Sequence, residues 1–179
     1  MRTIKIQYFY GIAILAIICI TSCKQNTNEQ KLIPIADTFS SDAEYIDPAT
    51  AMLSDGFKVC DEEYILQYYN PERATYSKGK NGLRNYITSN YTNNNYPDSG
   101  YLNIRFVINC NGEAGRYVIH ENDLNLEPMT FTKELKEQLF TLTTELKEWN
   151  PNYAHGALRD SYMYISYRIE HGNITEILP

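Results

Sequence analysis

The sequence predicts an α+β domain: a small antiparallel β-sheet with two helices on one face, preceded by an N-terminal extension. Three observations carry this. From Tyr101 to Cys110 the residues alternate, with Leu102, Ile104, Phe106, Ile108 and Cys110 on one side and Tyr101, Asn103, Arg105, Val107 and Asn109 on the other. Leu135, Leu139, Leu142, Leu146 and Trp149 recur at gaps of four and three, the stripe of an amphipathic helix. Asp160–Glu170 alternates again, Met163, Ile165, Tyr167 and Ile169 against Tyr162, Tyr164, Ser166 and Arg168. Strands with one apolar face belong to a sheet covered on one side, and the leucine stripe supplies a cover.

The elements follow in chain order. Met1 to Lys5 carries Arg2 and Lys5, and Tyr8 to Ile20 is then 13 residues without charge. As a helix that run spans about 20 Å, short of a hydrocarbon core of roughly 30 Å, so it reads as a secretory leader rather than a membrane span. It ends Ile20-Thr21-Ser22-Cys23, which resembles a bacterial lipobox. The resemblance implies cleavage after Ser22 and lipid on Cys23. Several acyl chains on one residue anchor stably where one chain is marginal. Lys24 stands where aspartate favours inner-membrane retention in many Gram-negative bacteria, so an outer-membrane lipoprotein facing the periplasm is expected.

Lys24 to Gln30 has no apolar residue, a linker composition. Residues 23–56 read as lipidated cysteine and tether, with order expected from about Phe57, and 57–78 as an extension packed on the domain. Phe57 to Tyr69 is apolar and aromatic, and its period does not separate helix from strand. Gly79 to Tyr91 places Leu83, Ile87 and Tyr91 on one helical face. Asn111-Gly112 suggests a type I′ turn after the first strand, and Glu113 to Glu121 a returning strand that buries Tyr117 and Ile119. Thr132 is the expected N-cap of a helix of about 17 residues that runs to Trp149 and stops at Asn150-Pro151. A loop passes through Gly156, and Ile174–Leu178 forms a last short strand after His171-Gly172-Asn173.

The stretch 79–179 resembles a TonB C-terminal-like domain of a Bacteroidetes-like lipoprotein. The resembling residues are Gly79 to Ile87 as first helix, Gly100 to Ile108 as first strand, Gly112 in the hairpin, and Leu142 to Pro151 with its Trp149-Asn150-Pro151. Tyr164 to Ile169, followed by Gly172 to Ile177, are like the family's closing strands. The resemblance implies a protein-binding module that holds an extended segment of an envelope partner, such as an outer-membrane transporter component, by strand addition. An edge at Asp160–Glu170 would present Tyr162, Tyr164, Ser166 and Arg168 to that segment, unless Ile174–Leu178 or the extension covers it. TonB itself has an uncleaved anchor helix and a Pro-rich spacer; here a lipid is the expected anchor, no Pro-rich spacer occurs, and Gly156-Ala157-Leu158 stands where many members have Gly-Lys-Pro.

Composition limits the alternatives. The chain has 179 residues, 43% apolar and 21% charged, ordinary globular stock. Its 16 basic residues face 22 acidic ones, a formal charge of −6, which argues against nucleic acid as a partner. Removal of the leader takes two positive charges with it. No Gly-x-Ser-x-Gly, P-loop or dinucleotide fingerprint occurs, so no enzyme, cofactor or catalytic residue is expected. His120, His155 and His171 have no ligand spacing and predict no metal site. Cys60 and Cys110 are an even pair in an oxidising compartment and read as a disulfide, two separate buried thiols being the other reading. The 16 tyrosines suggest a second function, glycan binding, if Tyr68, Tyr69, Tyr91, Tyr96 and Tyr101 gather at one end of the sheet; most are expected as core and cross-strand partners.

Overall fold

The computed structural model describes residues 45–52, 56–69 and 73–178. The leader, Cys23 and the tether up to residue 44 lie outside the described residues. Among those described, no helix is long and apolar enough to cross a membrane.

A short strand β1 (Thr75–Tyr76) precedes helix α1 (Gly79–Asn90). Leu83 and Ile87, one turn apart, are its buried residues, and Tyr91 follows in extended conformation. Then come β2 (Gly100–Ile108) and β3 (Ala114–Asn122), helix α2 (Lys133–Thr144), and two short strands, β4 (Trp149–Asn150) and β5 (Asn152–Ala154). β6 (Ala157–Arg159), β7 (Ser161–Glu170) and β8 (Asn173–Leu178) close the chain. The main sheet is antiparallel in the order β3-β2-β7-β8. The architecture is therefore α+β.

One face of this sheet carries Leu102, Ile104, Phe106 and Ile108 from β2 and Ile165, Tyr167 and Ile169 from β7. They share one core with Leu83 and Ile87 of α1 and Leu135, Leu139 and Leu142 of α2. Burying each leucine fully is worth roughly 1.5–3 kcal/mol relative to leaving it exposed. The Tyr167 hydroxyl is satisfied inside this core by Thr143 Oγ1 at 2.7 Å, and burial raises its pKa.

Helix α2 is shorter than its leucine stripe. Thr132 flanks it but makes no side-chain cap bond; its N–H instead donates to Asp98 Oδ1 at 2.8 Å. The helix ends at Thr144, and Glu148 takes a left-handed φ of 69°. Trp149 then pairs as a strand with Tyr76 and donates its indole N–H to the Leu146 carbonyl. Leu146 and Trp149 are buried as the stripe requires. Their periodicity reports the buried face; it does not report where the backbone stops being helical, because a tertiary strand pair wins over the last helical turn.

The turns also differ from expectation. At 109–113 only Gly112 has positive φ, at 80°. Asn109 N–H bonds to the Glu113 carbonyl, and the Asn109 side chain accepts from the N–H groups of Asn111 and Glu113. The loop is thus longer than a two-residue turn. The two-residue turns with both φ positive lie instead at His155-Gly156, between β5 and β6, and at His171-Gly172, between β7 and β8. Where a loop was expected, β5 and β6 form a separate small hairpin that exposes Tyr153 opposite Leu158.

Among the described residues, the second face of the sheet is covered at one end. Ile46, Ala51, Phe57, Val59 and Ile65 pack there on Val107, Val118 and Tyr162. Apart from isolated bridges at Met52 and Leu66, these segments pair with no strand, and 57–69 is neither helix nor strand. Packing begins before Phe57: Ile46 is 2% exposed, and Met52 exchanges both backbone hydrogen bonds with Tyr117 at 2.9 Å. A bulge in β3 between its pairs with Arg105 and Val107 gives Arg116 a φ of 55°. Arg116 grips Glu62 with both terminal guanidinium nitrogens, Nη1 and Nη2, and Tyr45 donates to the same carboxylate at 2.9 Å. Arg116 is the main cause holding Glu62 below the usual carboxylate range. Gly115 is needed for close approach, since a Cβ there would run into the Phe57 ring.

Candidate functional site

The edge expected at Asp160–Glu170 is not an edge. β7 has β2 on one side and β8 on the other. The His171-Gly172 turn folds β8 back along it, from Glu170↔Asn173 to Ser166↔Leu178. At its start Leu66 bridges to it, with Leu66 N–H to the Asp160 carbonyl at 2.9 Å and Tyr162 N–H to the Leu66 carbonyl at 2.8 Å. Tyr162 and Ser166 are 4% and 8% exposed. Tyr162 lies under the extension, and burial is the chief cause raising its phenol. Arg168 forms an ion pair with Glu170 at 2.8 Å. Of the four residues expected to meet a partner, Tyr164 lines a surface recess.

The outer strands are β3 and β8. β3 is bridged by Met52 at Tyr117, and the Glu121 carbonyl accepts from Met129 N–H at 3.1 Å. β8 has no strand on its outer side among the described residues. A cleft of about 380 Å³ lies elsewhere, beside Phe57, Gly112 and Trp149; the one along β8 is of similar size, 370 Å³, between that strand and α1. Arg84, Thr88, Ile174, Thr175, Glu176 and Ile177 line it. Arg84 Nε donates to the Ile177 carbonyl at 3.1 Å, so α1 touches the edge at that carbonyl.

Cys60 and Cys110 are joined as a disulfide, with Cα atoms 6.1 Å apart. Beside it sits Asp160, a residue that no sequence pattern marks. Asp160 is 1% exposed. Its Oδ2 accepts the N–H groups of Cys60 and Asp61, each at 2.7 Å, and its Oδ1 accepts that of Cys110 at 2.8 Å. One buried carboxylate therefore ties the extension and the β2–β3 loop to the start of β7 by three charge-assisted bonds. Nothing in the sequence marks it, because its three donors are backbone groups 50 and about 100 positions away. The two sulfurs and an Asp160 oxygen lie within 4.8 Å of one another. With the sulfurs bonded to each other neither is a thiolate, the form that binds metal.

The histidines separate. His155 and His171 occupy turns, and His120 lines the recess on the second face. Burial first, and Arg105 second, hold His120 below its ordinary value. The tyrosines separate too. Tyr68 stands edge-on to Tyr164 and Tyr69 edge-on to Tyr68, and Tyr101 is on the same sheet face as Tyr164. Tyr91 and Tyr96 are elsewhere: Tyr91 donates to the Gly172 carbonyl at 2.6 Å, with burial pushing its phenol up to about 12, and Tyr96 is buried in the core. The five do not gather at one end. The acids on α2 are surface groups, Glu137 paired with Lys133, while Glu121 takes Lys136 and the Phe131 N–H.

No family model, curated protein or solved structure matches this chain.

Proposed function

We propose that the chain is a non-catalytic, lipid-anchored module of the outer membrane, facing the periplasm, that binds an extended segment of an envelope protein by strand addition. The observation that carries this is the outer edge of β8, with a cleft of 370 Å³ between it and α1. An added strand there would gain backbone hydrogen bonds from the edge and side-chain contacts from Arg84 and Thr88. The order helix, hairpin, helix, strand supports the likeness to a TonB C-terminal domain, with an outer-membrane transporter component as the kind of partner. The acceptor strand moves from β7 to β8. Lipid on Cys23 supplies the anchor in this reading.

A photo-crosslinking residue at the exposed Glu176 position tests it in cells. The expected result is an adduct with an envelope protein that disappears in Thr175→Pro, which removes a backbone N–H from β8, while the melting temperature holds. An adduct unaffected by Thr175→Pro counts against strand addition. A Cys23→Ser arm, expected to release the chain from the membrane fraction, separates anchoring from binding.

A further inference from the structure

Among the described residues, the cover of the second sheet face extends as far as Tyr68 and Tyr69. Beyond them β2 presents Tyr101, Asn103 and Arg105, β3 presents His120, and β7 presents Tyr164, Ser166 and Arg168. Register aligns these groups in rows. Asn103 lies opposite His120 on one side and Ser166 on the other, and Arg105 lies opposite Tyr164. Neighbouring strands are about 4.8 Å apart, so His120, Asn103 and Ser166 form one contiguous polar line, and Arg105 and Tyr164 lie side by side in the next, with Val118 on the far side of Arg105.

A recess of about 390 Å³ opens over this floor, lined by Tyr68, Asn103, Arg105, His120 and Tyr164. The Tyr68 ring stands edge-on to Tyr164, with centroids 4.9 Å apart and planes at 81°, and Tyr69 stands edge-on to Tyr68 at 5.5 Å. The Arg105 guanidinium lies 6.0 Å from the Tyr162 ring centroid. The recess thus combines an aromatic wall with a floor of planar amide, imidazole and guanidinium groups.

We propose that this recess is a saccharide-binding site. A pyranose ring has an apolar C–H face and a rim of hydroxyls, each both donor and acceptor. The C–H face matches a tyrosine wall. The hydroxyls match Asn103, which donates and accepts, Arg105, which donates, and His120, which in its neutral form does both. Few polar groups convergent on an apolar surface are the usual build of a small-ligand site.

The other ligand classes fit less well. A peptide strand cannot add here, because both central strands of the floor have paired neighbours. A nucleic-acid strand meets a single arginine in the recess and a chain of net charge −6. A purely apolar ligand would strip water from three polar floor groups without replacing their hydrogen bonds. The site lies on strands and residues other than the β8 cleft, so it stands whether or not a partner protein binds there.

The test is a titration of the full chain, followed by amide chemical shifts, with trisaccharides of glucose, xylose, N-acetylglucosamine and galacturonic acid. At least one is expected to bind at millimolar concentration and to shift the amides of Asn103, Arg105 and His120. Tyr68→Ala and Asn103→Ala should each weaken it at least about tenfold, and Tyr153→Ala, at an exposed tyrosine on the β5–β6 hairpin, should not. Tyr68 is exposed, so its truncation leaves the fold in place, and a melting curve confirms this. A preference for the galacturonic acid probe that Arg105→Gln abolishes assigns Arg105 to an acidic sugar; equal binding of the neutral probes assigns the wall and Asn103 to a neutral one. The proposal is overturned if no probe binds at that concentration, if the shifts fall outside the recess, or if binding survives both Tyr68→Ala and Asn103→Ala.

Discussion

The two faces of the β3-β2-β7-β8 sheet are closed by different means. On the first, α1 and α2 press Leu83, Ile87, Leu135, Leu139 and Leu142 onto Ile104, Phe106, Ile165 and Tyr167. Regular elements do this, and each helix satisfies its own interior backbone groups. On the second, residues 45–52 and 56–69 lie down without a helix or a strand of their own. Such a segment must find partners for its backbone elsewhere. It finds them in Asp160, Asn109, Leu66's bridge to β7 and Met52's bridge to β3, and it is bound covalently through Cys60–Cys110. The contrast teaches that an irregular cover, although it too packs apolar side chains on the sheet, must have its backbone tied at discrete points, whereas a helical cover satisfies its own backbone.

The largest expected effect breaks the irregular side. Cys60→Ser with Cys110→Ser removes a cross-link closing 50 residues, worth about 4 kcal/mol in the chain-entropy model. Denaturant unfolding should show a loss of that size. Hydrogen exchange at the Leu66 and Tyr162 amides should accelerate beyond the global rate while Ile104 and Ile165 exchange with the whole domain. Equal acceleration everywhere would mean that the two covers are one cooperative unit.

Next comes the regular side. Leu139→Ala empties a fully buried position between α2 and the sheet and should cost about 3 kcal/mol. The loss should appear in global unfolding, with no segment opening selectively. A cost under about 1 kcal/mol would show that the helix face can collapse into the space.

The smallest effect sharpens the border between the covers. His120 has a lowered pKa in the folded chain, below its ordinary 6.5. The unfolded chain therefore takes up this proton more readily, so the stability from neutral His120 is present above that ordinary value and is lost as pH falls through it toward the folded value. The melting temperature should drop slightly between about pH 7 and about pH 5.5, and His120→Gln should flatten the drop. Glu62 and Asp123, also lowered, titrate below their ordinary 4.5 and 3.8 and stay outside this window. A slope that survives His120→Gln would assign it to another group.

Much of the regular side was legible residue by residue. Leu102, Ile104, Phe106 and Ile108 alternate because a strand turns successive side chains to opposite faces, and they are buried as that pattern requires. Leu83 and Ile87 are buried on α1 for the corresponding helical reason. Periodicity failed where a distant pairing took over: Trp149 completes the leucine stripe yet belongs to β4, because Tyr76 is there to pair with it. Turn chemistry failed at Asn111-Gly112, where the Asn109 side chain holds a longer loop, while His155-Gly156 formed the tight turn. The binding edge was misplaced because alternation reveals which face a residue takes and is silent on which strand lies beside it.

By itself, then, the sequence determined the main helices and strands of the sheet, their buried faces and the α+β class, which follow from local spacing, and it offered Cys60 and Cys110 as a pair by simple counting. Only the tertiary structure decided the strand order that puts β7 inside the sheet, the burial of Asp160 under three backbone N–H groups, and the meeting of Tyr68 with Asn103, Arg105, His120 and Tyr164. The physical reason is common to all three. Each depends on groups far apart in the chain whose contact is set by how strands and covers stack, and no local pattern of apolar and polar residues encodes which distant neighbour will arrive.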